Sequence, residues 1–224
     1  MELSALVIRM AVYTILVCTL LFASAGTVRW PSAWAWIVLA TVSQTITLGV
    51  VYRKHPDLMT ERSRVQSGTK KWDKVLVFFL VALGPLVMFV IAGLDYRWHG
   101  ARLVWWAIPA GLAAALVGAV VTAWAMYTNR FFAATVRIQT DRGHVVVSGG
   151  PYAWVRHPGY VGMFLSYAAM PFVMSSTWTL TPTAVMLVLL VVRTALEDGT
   201  LRAELPGYAE YAGTTRWRLL PGVW

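Results

Sequence analysis

The chain has 224 residues, of which 58% are apolar and only 13% are charged, and its mean hydropathy is +0.61. A soluble globule of this size needs more polar surface than that, so the composition excludes an ordinary soluble domain and indicates a membrane protein. The net charge of +9 would suit nucleic-acid binding, but the basic residues are spread over several loops and form no single patch, so we expect no nucleic-acid partner.

Four segments in the first half of the chain are predicted to be transmembrane helices. Residues 10–27, 31–52, 75–94 and 103–127 contain no charged side chain. Each is about as long as a helix must be to cross the hydrocarbon core, which takes roughly 20 residues. The first also resembles a signal peptide, because Arg9 precedes it and Ala23, Ser24 and Ala25 end it; we expect it to be retained. Cys18 is the single cysteine, so an intrachain disulfide or a Cys-rich zinc site is excluded.

Residues 159–192 form one more apolar stretch, which a Ser- and Thr-rich segment around Pro182 interrupts. This pattern predicts two short helices joined by a polar turn, and it leaves open whether they span the membrane or form a re-entrant hairpin. A helix after Arg193 should leave the membrane, and one more turn is predicted at 208–212. The predicted fold is therefore all-α, a polytopic membrane protein with about six transmembrane helices and a cytosolic C-terminal helix.

The distribution of Lys and Arg predicts the orientation of the chain. With six spans and the N-terminus inside, 16 of the 19 basic residues fall in cytosolic segments, as the positive-inside rule requires. The same charge attracts an anionic inner leaflet, so the lipid bilayer itself is an expected partner. Both termini and the active site are expected to be cytosolic, and the compact loops suggest a prokaryotic inner membrane.

The chain also divides by polarity. Residues 1–127 are predicted to be an N-terminal transmembrane scaffold of four helices, and residues 128–224 a catalytic region with a ligand-binding loop, the helical hairpin and the tail. In that region, residues 136–138 and 145–147 flank a turn-forming set at 141–143, which suits a short hairpin or an ordered loop. Residues 129–132 are either a lid or a plain helix end.

The most informative string begins at Tyr152 and ends at Gly162, where a polar loop enters the fifth span. Pro158 fixes the backbone and lacks an N–H, while Gly159 permits close approach, so this entry could present backbone groups and aromatic faces to a flat ligand. The alternative is that Arg156 and His157 are simply interfacial residues with their charged ends in water.

A second signal is Arg193 with Glu197, one helical turn apart near the inner end of the sixth span. Ionisable residues at membrane depth usually face the protein interior and serve function. The alternative is an ordinary i,i+4 ion pair. Asp198 beside Glu197 weakens that alternative, because two acids need more than one cation.

Together these motifs resemble the isoprenylcysteine carboxyl methyltransferase and phospholipid methyltransferase superfamily. The pattern is Gly150-x-Tyr152, Arg156-His157-Pro158-x-Tyr160-x-Gly162, Arg193-x-x-x-Glu197-Asp198-x-x-Leu201, Tyr208-x-x-Tyr211 and Arg218-Leu219-Leu220-Pro221, and it covers roughly residues 129–224. The resemblance implies an S-adenosyl-L-methionine-dependent membrane methyltransferase that releases S-adenosylhomocysteine. It places cofactor contacts at Gln139, His144, Val145, Val146, Val147, Tyr152, His157, Pro158, Gly159, Tyr160 and Glu197, and a substrate contact at Arg193. Asp198 departs from the family pattern, which has Glu beside Glu197.

The resemblance leaves the methyl acceptor open. A lipophilic carboxylate is favoured, with Arg193 and Glu197 as the catalytic pair: Glu197 would hold the cofactor's ammonium and Arg193 the carboxylate. A carboxylate needs no general base and no metal, whereas an amine or a thiol must lose a proton. A phospholipid or small lipophilic amine or thiol, and a non-enzymatic membrane subunit or transporter, are the alternatives. The substrate, lipid, prenylated or small, should enter from the inner leaflet, and the oligomeric state stays open.

Overall fold

The computed structural model describes residues 3–63, 65–101 and 103–224, and this part of the chain is helical with connecting loops. The α-helices are α1 (Leu3–Ala25), α2 (Pro31–Lys54), α3 (Pro56–Arg62), α4 (Lys71–Val77), α5 (Gly84–His99), α6 (Ala107–Thr128), α7 (Pro158–Met174), α8 (Leu180–Glu204) and α9 (Tyr208–Thr214). A π-helical segment, Phe78–Leu83, joins α4 to α5. It ends just before Pro85, which has no N–H to donate to the preceding turn.

Five helices are long and apolar enough to cross a membrane: α1, α2, the continuous Lys71–His99 helix, α6 and α8. The predicted fifth span is also a helix, α7, but it has only 17 residues. It ends at Ser175, whose left-handed backbone (φ 50°) begins the expected polar turn before α8. The integral membrane character and the all-α fold are confirmed. The length of α7 leaves both predicted alternatives in place, a full crossing of the membrane and a re-entrant hairpin.

The structure adds one helix to the predicted elements and settles the conformation of the loop 129–149. The basic loop after α2 contains a helix, α3, that the sequence did not predict. Between residues 129 and 149 no strand forms; instead an ordered loop folds around the short 3-10 helix Thr140–Arg142. Gly143 ends that turn with φ +63°, a left-handed conformation that glycine adopts readily. Of the two alternatives for this segment, the ordered loop is the one that forms.

Small residues hold α7 against α6. A Cβ atom added at Gly118 of α6 would lie 2.6 Å from the carbonyl oxygen of Gly162 in α7. Such close approach is typical of packed membrane helices. The N-terminal turn of α7, which carries the most informative motif, is therefore fixed against α6.

A buried acid ties the opposite end of the bundle together. Asp95, near the end of α5, is fully buried and accepts hydrogen bonds from Ser176 Oγ (2.7 Å) and the Trp178 amide (3.2 Å). His99 Nδ1 lies 2.8 Å from the same carboxylate. These contacts join α5 to the turn between α7 and α8. The helix α7 is therefore held near its start by α6 and at its end by α5.

Candidate functional site

An open cavity lies where the N-terminus of α7, the C-terminal half of α8, α9 and the ordered loop 129–149 meet. It encloses about 1120 Å³ of empty space, counting its mouth. Besides residues of the second half, its wall includes Arg62 from α3 and Val77 and Val81 from the helix that begins at Lys71. The first half of the chain therefore contributes directly to the wall of this cavity.

The predicted site residues converge on this cavity. Its lining includes Arg193 and every predicted cofactor contact except Pro158, namely Gln139, His144, Val145, Val146, Val147, Tyr152, His157, Gly159, Tyr160 and Glu197. Pro158 is buried at the start of α7. The side chain of Phe132 occupies the space that a Cβ atom at Gly159 would need, so the ring packs directly on the α7 backbone. That these residues bind a cofactor stays a prediction.

Asp198 joins three parts of the chain and points away from the cavity. It is fully buried and receives Arg156 Nε at 2.7 Å, Tyr208 Oη at 3.0 Å and Arg218 Nε at 2.9 Å. Arg202 Nε is also within 3.2 Å. The expectation that the two neighbouring acids need more than one cation holds, because Asp198 alone engages three arginines.

Glu197 faces the cavity and has a different environment. It is partly buried and accepts a hydrogen bond from Tyr160 Oη. In the described residues it forms no ion pair, and it is the only acid among the cavity-lining side chains. A lone carboxylate in a half-buried cavity attracts a cationic ligand group.

Arg193 does not pair with Glu197. Its Nε donates to Asp73 Oδ1 at 2.7 Å, and its Nη2 donates to the Ala134 carbonyl at 2.9 Å. The ring of Tyr160 packs against the guanidinium, with 5.2 Å between the guanidinium carbon and the ring centroid. The i,i+4 ion pair considered from the sequence is therefore absent, and Asp73, from the start of α4, is the partner that sequence reasoning missed.

The helix α3 holds the ordered loop in place. Arg137 of the loop makes a two-pronged ion pair with Glu61, with distances of 2.7 and 2.8 Å. Arg142 of the loop reaches Asp57 at 2.6 Å. The Glu61 and Asp141 carboxylates raise the pKa of Arg137 further above its ordinary value. The only sequence signal of this role was the charged run Glu61, Arg62 and Arg64, in the basic segment between the second and third predicted spans.

Gln139 contributes to the loop through its own contacts. It is almost fully buried, its Nε2 donates to the Phe131 carbonyl at 2.7 Å, and its Oε1 accepts from Arg142. Both polar groups of the amide are thus used within the loop. Its position on the cavity wall follows from this bonding, and a cofactor contact through it stays a prediction.

The C-terminal segment packs beside the cavity, and its helix α9 lines one side of it. The amides of Arg156 and His157 donate to the carbonyls of Trp217 and Arg218 at 2.9 and 3.0 Å. On α9, Tyr211 Oη donates to the Tyr152 carbonyl at 2.7 Å, and burial raises the pKa of Tyr211 to about 12. Tyrosines 208 and 211 line the cavity. They stood in the motif, but no role was predicted for them.

We expect His144 to make stability depend on pH. Burial, together with the nearby charges of Arg137 and Arg142, lowers the pKa of His144 to about 4, against about 6.5 in an unfolded chain. Between these values the unfolded state binds more protons, so stability should fall as the pH drops from about 7 towards 4. Thermal unfolding in detergent at pH 7 and pH 4.5 should show a smaller loss for His144→Gln than for the natural sequence. Equal losses would contradict this assignment.

Sequence comparison shows that much of the second half of the chain is similar to known methyltransferases. Residues 111–203 match the model of the isoprenylcysteine carboxyl methyltransferase family. Curated proteins named protein-S-isoprenylcysteine O-methyltransferase are similar: 33% identity over 88 residues in Tribolium castaneum and 31% over 90 residues in Rattus norvegicus. These alignments cover 39% and 40% of this chain, and in both cases 31% of the relative. The chain therefore aligns with about a third of the length of the curated relatives it matches.

Structural comparison extends the likeness to the fold of the whole chain. The structure of a eukaryotic intramembrane Ras methyltransferase, an isoprenylcysteine carboxyl methyltransferase, superposes with a TM-score of 0.55. The match covers 96% of this chain and 85% of that chain at 16% identity, so it shows the fold alone. The resemblance inferred from the C-terminal motifs is thus confirmed: residues 111–203 match the model of the isoprenylcysteine carboxyl methyltransferase family, and the fold is similar to that of the solved enzyme.

Proposed function

We propose that this protein transfers a methyl group from S-adenosyl-L-methionine to the carboxylate of a lipophilic substrate and releases S-adenosylhomocysteine. The observation that carries the proposal is the cavity itself. Family motifs spread over residues 152–211 line one space. This space contains aromatic rings, arginines and a carboxylate, Glu197, that has no cationic partner among the described residues.

The donor side of the cavity fits the cofactor. Glu197 is suited to the ammonium group of the methionine moiety, because both charges would otherwise be unpaired. His157 and Tyr160 stack with 5.7 Å between ring centroids and provide flat surfaces for the adenine, together with Tyr152. The 144–147 stretch lines the same space and offers backbone groups for polar atoms of the nucleoside.

The acceptor side contains Arg193, which we propose contacts the substrate carboxylate. Asp73 and the Ala134 carbonyl hold its Nε and Nη2, while its Nη1 has no hydrogen-bond partner in the described residues. A guanidinium fixed in this way can orient a carboxylate oxygen for in-line attack on the methyl carbon, which is the main task in this displacement. A carboxylate acceptor needs no general base.

The proposal also includes the routes by which the two substrates enter and the orientation of the chain in the membrane. We infer that the acceptor enters from the inner leaflet and the cofactor from water, with both termini and the cavity on the cytosolic side, as the distribution of basic residues favours. Residues 1–127 then serve as scaffold and substrate wall, and residues 128–224 as the catalytic region. A prokaryotic inner membrane remains our proposal for the location, although the named relatives are eukaryotic.

A direct assay tests the function. Purified protein in lipid nanodiscs would be incubated with methyl-labelled S-adenosyl-L-methionine and N-acetyl-S-farnesylcysteine. We expect a base-labile methyl ester, whose label is released as methanol on alkaline treatment, and no labelled product from the corresponding carboxamide. Label in the amine headgroups of nanodisc lipids would assign an amine acceptor instead. No binding of S-adenosylhomocysteine by calorimetry would overturn the enzymatic proposal.

A further inference from the structure

One of the four arginines that line the cavity has no carboxylate partner in the described residues. The pairs formed by the other three are Arg137 with Glu61 and Asp141, Arg156 with Asp198, and Arg193 with Asp73. Arg62, the last residue of α3, donates from Nη1 to the Phe132 carbonyl at 3.0 Å and packs over the Phe132 ring. Its positive charge is therefore available to a ligand.

The surroundings of Arg62 make an unpaired charge costly. Arg62 is partly buried, and this burial together with the nearby positive charge of Arg193 lowers its pKa to about 10. The guanidinium still carries its proton at neutral pH. A partly buried cation without a counter-ion destabilises the protein, and a bound anion reduces that cost. The cavity therefore favours an anion at this point.

Arg62 is also held in position before any ligand arrives. The same short helix carries Asp57 and Glu61, which are ion-paired to Arg142 and Arg137 of the ordered loop. These contacts fix α3 against the cavity wall. A preorganised guanidinium binds a carboxylate with little further ordering of the protein.

We propose that Arg62 binds the carboxylate of the methyl acceptor beside Arg193. This inference rests on the proposed function. Arg62 and Arg193 with Asp73 carry a net charge of +1, which a single carboxylate neutralises. Glu197, the one acid that lines the cavity, stands on the donor side. Val77 and Val81, which line the cavity from a membrane-spanning helix, offer an apolar surface to the lipophilic part of the acceptor.

The reaction changes the charge that Arg62 binds. A carboxylate oxygen attacks the methyl carbon, the carbon–sulfur bond breaks, and sulfur keeps the electron pair as a neutral thioether. The acceptor becomes a neutral ester. Arg62 therefore holds the substrate more tightly than either the transition state or the product, so it lowers KM without raising kcat and favours ester release.

The test compares Arg62→Leu and Arg62→Lys with the control Arg53→Leu, which removes an exposed charge at the end of α2 outside the cavity. For Arg62→Leu we expect the KM for N-acetyl-S-farnesylcysteine to rise on the order of 10- to 100-fold, because the substrate loses a hydrogen bond to a charged group. The kcat should not fall, and the Kd for S-adenosylhomocysteine should change by less than about threefold. Arg62→Lys should recover part of the KM, and Arg53→Leu should behave as the natural sequence.

Several results would overturn the assignment. An equal loss of S-adenosylhomocysteine affinity would place the cofactor's own carboxylate at Arg62, and a fall in kcat with KM unchanged would make its role structural. If Arg62→Leu does not fold, the natural protein is tested instead. A carboxamide analogue of the acceptor should then inhibit methyl transfer at least about tenfold more weakly than the carboxylate does. Equal inhibition by the two compounds refutes the proposal. A natural protein that neither binds S-adenosylhomocysteine nor transfers methyl groups contradicts the proposed function instead.

Discussion

Replacing Asp198 with asparagine should strongly destabilise the packing around the cavity. The side chain is fully buried and pairs with Arg156, Arg202 and Arg218. Without the negative charge, the almost fully buried Arg156 loses its counter-ion. Removing one partner of a buried pair costs about 3–5 kcal/mol. Thermal unfolding in detergent, followed by tryptophan fluorescence, should show this loss.

The matched control is Asp141→Asn. Asp141 also pairs with an arginine, Arg137, at 2.7 Å, but its side chain is 62% exposed. Exposed pairs contribute about 0–1 kcal/mol, so this variant should melt close to the natural protein. If both variants lost the same stability, Asp198 would not be the structural link between the α7 entry, α8 and the tail.

Replacing Glu197 with glutamine should leave the fold intact and remove most of the affinity for the cofactor. Glu197 forms no ion pair among the described residues, so the change leaves no cation without a partner. The glutamine amide oxygen can still accept the hydrogen bond from Tyr160 Oη. The variant no longer attracts the ammonium group of S-adenosylhomocysteine. We therefore expect the Kd for S-adenosylhomocysteine to rise about 10- to 100-fold, because a hydrogen bond to a charged group is lost.

Calorimetry with S-adenosylhomocysteine in detergent measures this change. Glu210→Gln, an exposed glutamate on α9, removes the same charge from the same region outside the cavity lining. The control should bind as the natural protein does, and its melting temperature should equal that of Glu197→Gln. Equal Kd values for the two variants would show that Glu197 does not contact the donor.

The sequence predicted what depends on contiguous patterns. Uncharged segments of about 20 residues located the spans, and the motif around His157 located the cavity, because membrane length and local backbone geometry are encoded within short stretches. The neighbouring acids Glu197 and Asp198 already indicated more cations than Arg193. Which cations these are is not encoded locally, and the structure identifies them.

What the sequence did not predict arises from contacts between distant segments. The partner of Arg193 is Asp73, 120 positions away, and no periodicity links the two. The i,i+4 spacing pointed instead to Glu197, but Tyr160 contacts both residues: its ring packs against the guanidinium and its hydroxyl donates to Glu197. The helix that ends at Arg62 has seven residues, too few to show a helical hydrophobic period. The residue that carries our further proposal lay in that segment.

The contact between Gly159 and Phe132 restricts how this chain can vary. A Cβ atom at position 159 would overlap the Phe132 ring, so a substitution there requires the ring to shift or residue 132 to become smaller. Positions 132 and 159 should therefore change as a pair in directed evolution. Libraries that randomise position 159 alone should recover mostly glycine, whereas libraries that randomise both positions can recover larger residues at 159 together with smaller ones at 132.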